Sequence, residues 1–545
     1  MANKIWLSVG LFGRYQREQV VYFALAMTAV AYPILAYVFV GFRPPFTCKR
    51  PLNESWTLYN LDVNASDVRL IENTCDISVM RNDTTILASL PCDHGYNYDV
   101  SQETIVTEWN LVCDSEGKAE FTQSLFTIGQ ISGAISFLPL ADRYGRKTIY
   151  VIIGIFMFFA TTLISLSPNY YVYAVMKFIS GATTEGFGMV MYIYIFEMFP
   201  GRYRESIAVF GGFWWTINVM TITVFGYGLR NYSWRYLQLA TGLIGAICLG
   251  TYWLCDESLR WLIVNGHTER TIQLLQKITR KNKKDSEIIL PLISDNIHGI
   301  HTQEHVKEMQ EYAKVNQDKT ECVQDSVVES NTHSLIDIFR HKLLLKRSLI
   351  WMFIWFTNSV TYYGLLLSSV QLKGNRFLNF FLNGVVEIPA NIIYLILIKR
   401  VSRRRLTIGC HLFVGIPMIM SVALITFKDK HEMFQTIAIV CSFIGKMGIT
   451  ASYNMIFLYL PETYPTNLRN MGLGLASASA HIGGVIAPFS SLLAYHVEWG
   501  PGVVFGICCL VVSFLCFFLP ETRNRPLPQT LAEIENWDST KKNST

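Results

Sequence analysis

Apolar residues in this chain come in long runs rather than in short alternating or one-faced patterns. Twelve runs approach the ~20 residues that an α-helix needs to cross a bilayer core. They lie near 20–41, 121–141, 149–167, 170–193, 206–228, 235–255, 347–370, 376–398, 406–427, 433–459, 470–494 and 501–520. Two of them, Val151–Ser165 and Val503–Leu519, hold no charged residue. A single run of this kind could be a buried helix of a soluble protein; twelve predict an all-α membrane protein with twelve transmembrane helices. The first run continues past Tyr37, longer than the core of a cleavable secretory signal, and reads as the first span.

Composition agrees. Hydrophobic residues make up 51% of the 545 positions and charged residues 16%, against about 25% charged in an average soluble protein. That excludes a disordered chain and argues against a soluble multidomain enzyme. The net charge of +5 is too mild and too scattered for a nucleic-acid binder. The basic residues instead mark one side of the spans. They concentrate in Asp142-Arg143-Tyr144-Gly145-Arg146-Lys147, in Arg202-Tyr203-Arg204 and in Lys399-Arg400-Val401-Ser402-Arg403-Arg404-Arg405. With twelve spans these loops share a side, which the positive-inside rule makes cytoplasmic, together with both termini.

The connection 43–120 then lies outside. It carries three glycosylation sequons, at Asn53, Asn64 and Asn82, and four cysteines, Cys48, Cys75, Cys92 and Cys113. An even cysteine count in an oxidising compartment predicts two disulfides, with three pairings open. The second long connection, 256–345, is hydrophilic, with a helical stretch at Thr268–Arg280. It divides the chain into a six-helix bundle over 1–255, a cytoplasmic linker, a second six-helix bundle over 346–520 and a tail over 521–545.

The two bundles repeat three signals in the same order. Asp142–Lys147 follows span 2 and Arg400–Arg404 follows span 8. Glu197-Met198-Phe199-Pro200-Gly201-Arg202-Tyr203-Arg204 follows span 4 and Glu462-Thr463-Tyr464-Pro465-Thr466-Asn467-Leu468-Arg469 follows span 10. Asp256-Glu257-Ser258 follows span 6 and Pro520-Glu521-Thr522 follows span 12. Arginines alone would satisfy the topology rule, so the repeated acids predict gating pairs at the inner face. The expected members are Asp142, Arg143, Arg146, Glu197 and Arg204 in the first half, and Arg403, Arg404, Glu462 and Arg469 in the second, paired when the inner side is closed. One exposed pair is worth about 0–1 kcal/mol, so several would be needed.

The Asp142–Lys147 loop, the duplicated halves and the twelve spans resemble the major facilitator superfamily. Further strings narrow the likeness: Thr107-Glu108-Trp109-Asn110-Leu111-Val112-Cys113, Tyr362-Tyr363-Gly364-Leu365, Pro465-Thr466 with Arg469-Asn470, and the closing Pro520-Glu521-Thr522-Arg523-Asn524. With the large first loop, these resemble the organic cation, organic anion and carnitine carriers. The chain departs from their pattern at Leu138 and Ser402, where the loop motifs carry glycine, and at Asp256, where proline is usual.

In such a fold the substrate site is expected near the midplane between the halves. Ionisable side chains within spans are costly and therefore functional candidates. They are Lys177, Glu185, Glu387, Lys446 and His481. Glu387, beside Pro389, could attract an ammonium group or pair with Lys446. Glu185 stands where the resemblance implies lysine in cation carriers, and eight residues separate it from Lys177, about 12 Å of helical rise. His481 stands where the resemblance implies arginine in anion carriers and aspartate in one cation branch; Asn391 stands where anion carriers have lysine. His481 can hold a carboxylate, sense protons or merely pack. Tyr362 and Trp215 are candidates for a cation–π wall, Tyr362 being placed in the cavity by the resemblance.

These features predict a plasma-membrane carrier of small organic cations or zwitterions, working by alternating access within a lipid bilayer, with no cofactor and with a coupling ion left open. The competing expectations are an organic anion exchanger of the same fold and a transport-deficient receptor. No metal-spaced set, nucleophile elbow or phosphate loop points to an enzyme.

Overall fold

The computed structural model describes residues 13–50, 68–81, 85–99, 102–199, 201–284, 335–427, 431–465 and 468–523, with 528 and 533. The sequons Asn53, Asn64 and Asn82 lie outside the described residues, as do the linker positions 285–334.

Among the described residues ten helices are long and apolar enough to span: Arg14–Val40, Cys113–Tyr144, Arg146–Leu166, Ser206–Gly228, Trp234–Leu254, Lys342–Gln371, Arg376–Arg400, Arg403–Thr426, Met433–Glu462 and Gly500–Phe518. An eleventh is broken, Arg469–Ile486 followed by Phe489–His496 with a 41° bend. The twelfth is Tyr170–Met198, 29 residues long, whose interior carries Lys177 and Glu185 and a run of small and hydroxyl residues. In chain order these are spans 1 to 12, with Tyr170–Met198 as span 4 and the broken helix as span 11. Side chains such as Phe156, Phe159, Tyr171, Phe514 and Phe517 are exposed on the outer surface, where lipid rather than protein would cover them.

The duplication is visible in the packing. Span 3 lies against spans 4 and 6 as span 9 lies against spans 10 and 12. Span 1 packs on span 5 as span 7 packs on span 11, and span 2 on span 4 as span 8 on span 10. Substantial helix contacts between the halves are those of span 2 with span 11 and of span 5 with span 8.

The first loop is not helical. It forms a two-stranded sheet of β1 (Phe46–Cys48) and β5 (Tyr96–Tyr98), and a three-stranded antiparallel sheet of β2 (Val68–Glu72), β3 (Ile77–Arg81) and β4 (Thr85–Leu90). Of the three pairings left open by the sequence, the structure has Cys48 with Cys92 and Cys75 with Cys113, with Cα separations of 5.3 and 5.6 Å. The second bond ties the sheet to the start of span 2. The neighbouring Glu108 accepts from Trp234 Nε1 and from Arg235 Nη2, both at 2.6 Å, which fixes the loop to the start of span 6. After span 6 the chain forms helices Leu259–Val264 and Thr268–Asn282, and the second docks on span 1: Lys281 Nζ lies 2.6 Å from Glu18 Oε2, and Asn282 Oδ1 accepts from the Tyr15 amide at 3.0 Å.

Candidate functional site

Hydrogen bonds that join the halves run from mid-span to the loop-bearing end. Ser124 Oγ donates to Val485 O at 2.6 Å, His496 Nε2 lies 3.0 Å from Glu116 Oε2, and Arg376 bonds Gln102. At mid-span, Thr216 of span 5 donates to Glu387 of span 8 and Trp215 to Tyr362 of span 7.

Around Glu387 the structure gathers four of the expected residues. Span 8 changes helical segment at Val386, and Glu387 opens the second segment; Pro389 has no N–H to complete the helix there. The carboxylate is then fully engaged. Tyr362 donates to Oε1 at 2.7 Å, Thr216 donates to Oε2 at 3.0 Å, and Lys446 Nζ lies 3.0 Å from Oε1. Side-chain exposure is 0% for Lys446 and 1% for Glu387. Lys446 Nζ also sits 3.2 Å from the centre of the Tyr362 ring, and Trp215 Nε1 donates to the Tyr362 hydroxyl at 2.7 Å. Of the two expectations for Glu387, the pair with Lys446 is the one formed here. Burial removes both charges from water, and each is the compensation the other requires. Trp215 and Tyr362 hold that pair in place rather than standing as a free aromatic wall.

Glu185 differs. Glycines set its position: a Cβ at Gly129 would collide with the Phe178 carbonyl, and one at Gly133 with the Ala182 carbonyl, so spans 2 and 4 approach closely. This brings Gln130 Nε2 within 3.0 Å of Glu185 Oε2. Among the described residues no cation pairs with Glu185. Lys177 is buried farther along span 4, its Nζ 5.4 and 5.7 Å from the ring centres of Phe126 and Tyr173. The Glu185 carboxylate interacts electrostatically with Tyr192 of its own span and with Tyr363 and Tyr453 of the other half. Gln130, Glu185, Tyr192, Trp214, Trp215, Tyr363, Tyr453 and Asn454 are all partly exposed, and they come from spans of both halves. His481 does not join either group. It has no hydrogen-bond partner among the described residues, and it precedes Gly483 and Gly484, where span 11 presses on spans 7 and 2.

Sequence reasoning missed Thr216, Tyr453 and Gln130, neutral residues with no signal of their own. It also missed a buried polar cluster in the second half. There His411 Nδ1 lies 2.9 Å from Thr407 O and Nε2 lies 3.2 Å from Asn358 Nδ2. A carbonyl only accepts, so Nδ1 carries the proton and Nε2 accepts.

At the arginine-rich end the repeated motifs form two equivalent networks. In the first half Arg146 pairs with Asp142 and lies 3.4 Å from Glu197 Oε1, while Ser258 Oγ donates to Glu197 Oε2 at 2.5 Å. Glu257 Oε1 accepts from the Lys147 and Ser258 amides at 3.0 and 2.9 Å, so it caps the start of span 3. In the second half Arg403 Nε lies 3.5 Å from Glu462 Oε2, and Thr522 Oγ1 donates to the same oxygen at 2.5 Å. Glu521 accepts from the Arg403 and Arg404 amides at 2.9 and 3.3 Å and caps the start of span 9. Carboxylates at helix N-termini meet unsatisfied N–H groups and the positive end of the dipole. Burial raises the Glu521 pKa, but hydrogen bonds from Ser402 and from the Arg523, Arg403 and Arg404 amides outweigh it and hold the carboxyl below its usual value.

Both members of every such pair belong to one half. The pairs are formed here while the hydrogen bonds described between the halves run from mid-span to the opposite end. A pair internal to one rigid bundle need not break when the bundles part. Arg143 stacks on Tyr144 at 5.4 Å and has no carboxylate partner among the described residues. Arg469 Nε donates to Pro461 O at 2.8 Å, and the Arg404 guanidinium reaches Leu519 O at 3.5 Å. The side chain of Arg204 lies outside the described residues.

Comparison with known proteins fits this architecture. The model of the sugar (and other) transporter family matches residues 96–533. An organic cation transporter-like protein of Drosophila melanogaster is 32% identical over 97% of this chain and 92% of its own. The chain belongs to the organic cation, organic anion and carnitine transporter family of the major facilitator superfamily. Solute carrier family 22 member 1 of Oryctolagus cuniculus is 29% identical over 97% of this chain and 94% of its own. Among solved structures, the inward-open xylose transporter XylE of E. coli aligns over 95% of this chain and 98% of its own at a TM-score of 0.59, with 14% identity, a likeness of fold. This transporter family member is thus a multi-pass membrane carrier of organic solutes, not an enzyme.

Proposed function

We propose that this family member is a plasma-membrane carrier of small organic cations or zwitterions, amine-, carnitine- or amino-acid-like, with both termini in the cytoplasm. It works by alternating access, the halves rocking about the mid-span crevice. The observation that carries the reading is Glu185, a carboxylate facing tyrosines of both halves with no cation partner among the described residues. Such a group attracts an ammonium, and aromatic faces around it add cation–π attraction. An anion would find Lys446 already held by Glu387 at 3.0 Å. The name of the Drosophila relative supports the same reading. The paired networks at the arginine-rich end brace each half so that it moves as a unit.

The test is uptake of a labelled panel into cells expressing the chain: a quaternary amine, carnitine, a β-amino acid and a dicarboxylate. Cation or zwitterion uptake that falls in Glu185→Gln is the expected result. Preference for the dicarboxylate overturns the reading.

A further inference from the structure

The two mid-span carboxylates pose different problems for a carrier that must close around its site. When the crevice closes, water leaves, and a lone carboxylate loses its solvation. Glu387 is compensated in advance by Lys446 at 3.0 Å and by two hydroxyl donors. Glu185 has Gln130 as its hydrogen-bond donor, a neutral amide that leaves the charge in place.

Among the described residues the surroundings offer no substitute cation. Span 2 presents Gln130, span 7 Tyr363 and span 10 Tyr453, while Tyr192 comes from the same span as Glu185. Span 1 approaches this part of span 4 with Met27 against Tyr192 and Val30 against Gly188, and span 3 with Tyr150 against Phe187. Lys177 is directed toward Phe126 and Tyr173. An empty carrier with an ionised Glu185 would therefore have to close over an uncompensated charge.

We propose that Glu185 is an ion-coupling site that exchanges a proton for the substrate's ammonium group, making this protein a proton–organic cation exchanger. The inference rests on the cation reading above and adds the coupling ion to it. On one side the substrate cation displaces the proton: the carboxyl O–H bond breaks, the proton goes to water in the crevice, and the carboxylate pairs with the ammonium. On the other side the cation leaves and a proton from water restores the O–H bond. The site crosses neutral in both directions, so one cation moves against one proton with no net charge transferred.

The full chain, purified into proteoliposomes with the potential clamped at zero, is given labelled tetraethylammonium. This quaternary ion has no dissociable proton and cannot follow a pH gradient as a neutral base. With the interior one pH unit more acidic than the exterior, accumulation of about tenfold is expected, since a tenfold proton ratio drives a tenfold cation ratio. Glu185→Asp should keep this response and Glu185→Gln should lose it, with unchanged thermal melting of the purified protein. Uptake that ignores the pH gradient but reaches about tenfold at −60 mV, inside negative, overturns the exchange and leaves the cation reading intact. No tetraethylammonium uptake under either force overturns both.

Discussion

The two halves of this carrier are alike at their arginine-rich ends and unlike at mid-span. At the ends, Arg146, Glu197, Glu257 and Ser258 are matched by Arg403, Glu462, Glu521 and Thr522, contact for contact. At mid-span the first half offers Glu185, without a cation partner among the described residues, and the second offers Glu387 already paired with Lys446. Each bundle needs the same brace, because each must keep its own helix starts capped while it moves. The crevice has no such requirement of symmetry: a substrate is bound once, between two walls that can differ.

The mid-span contrast can be broken most directly at Lys446. Removing one partner of a buried ion pair costs about 3–5 kcal/mol, so Lys446→Met should sharply lower the melting temperature or the yield of folded carrier. The double variant Lys446→Met/Glu387→Gln should recover most of the loss, and a fluorescence-detected melting series reads both. If Lys446→Met alone is as stable as the parent, the pair is not a closed unit.

The likeness of the ends breaks at the turn between the paired helices. Gly145, between spans 2 and 3, has φ 100° and ψ 148°, whereas Ser402 at the equivalent turn has φ −70° and ψ 149°. Only glycine adopts the first conformation without strain, so Gly145→Ala should destabilise by about 1–3 kcal/mol, more because the new Cβ would meet Glu257. Ser402→Ala should cost far less in the same melting assay. Equal losses would mean that the two turns are more alike than their dihedrals.

Substrate recognition sharpens the contrast from the other side. Glu185→Gln leaves no buried charge behind, so the protein should melt within about 0.5 kcal/mol of the parent, while KM for a transported cation rises about tenfold or more, equivalent to about 1.4 kcal/mol. An unchanged KM would remove Glu185 from the site.

The smallest effect is expected at the caps. Glu521→Gln should cost about 1 kcal/mol at pH 7. The Glu521 carboxyl titrates below its usual value in the folded protein. Its stabilisation is therefore full above the unfolded value near ~4.3 and is lost as pH falls through the folded one. The gap between variant and parent should close on acidification below about pH 4. A gap that widens in acid would contradict the capping role.

Most of the architecture could be read directly. Twelve apolar runs correspond to twelve helices among the described residues, and the Glu–x–x–Pro–x–x–x–Arg repeats follow spans 4 and 10. Span 4 is the instructive case: Tyr170–Met198 carries Lys177 and Glu185 in its interior, and its close approach to span 2 sets Glu185 beside Gln130. The strands β1 to β5 were not expected, since the loop's apolar positions are short and interrupted, and the disulfide pairing depends on which strands meet.

What the sequence alone determined is the spanning character, the duplication and the short set of ionisable groups within spans, because each is a local property: the apolar length that crosses a bilayer, a repeated string, a charge where charge is costly. What only the tertiary structure decided is which of those charges are neutralised. Glu387 and Lys446 are 59 positions apart and meet at 3.0 Å, while Glu185 and Lys177 share a helix and face different neighbours. Compensation of a buried charge is set by distances across helices, and those are fixed by how the bundles pack.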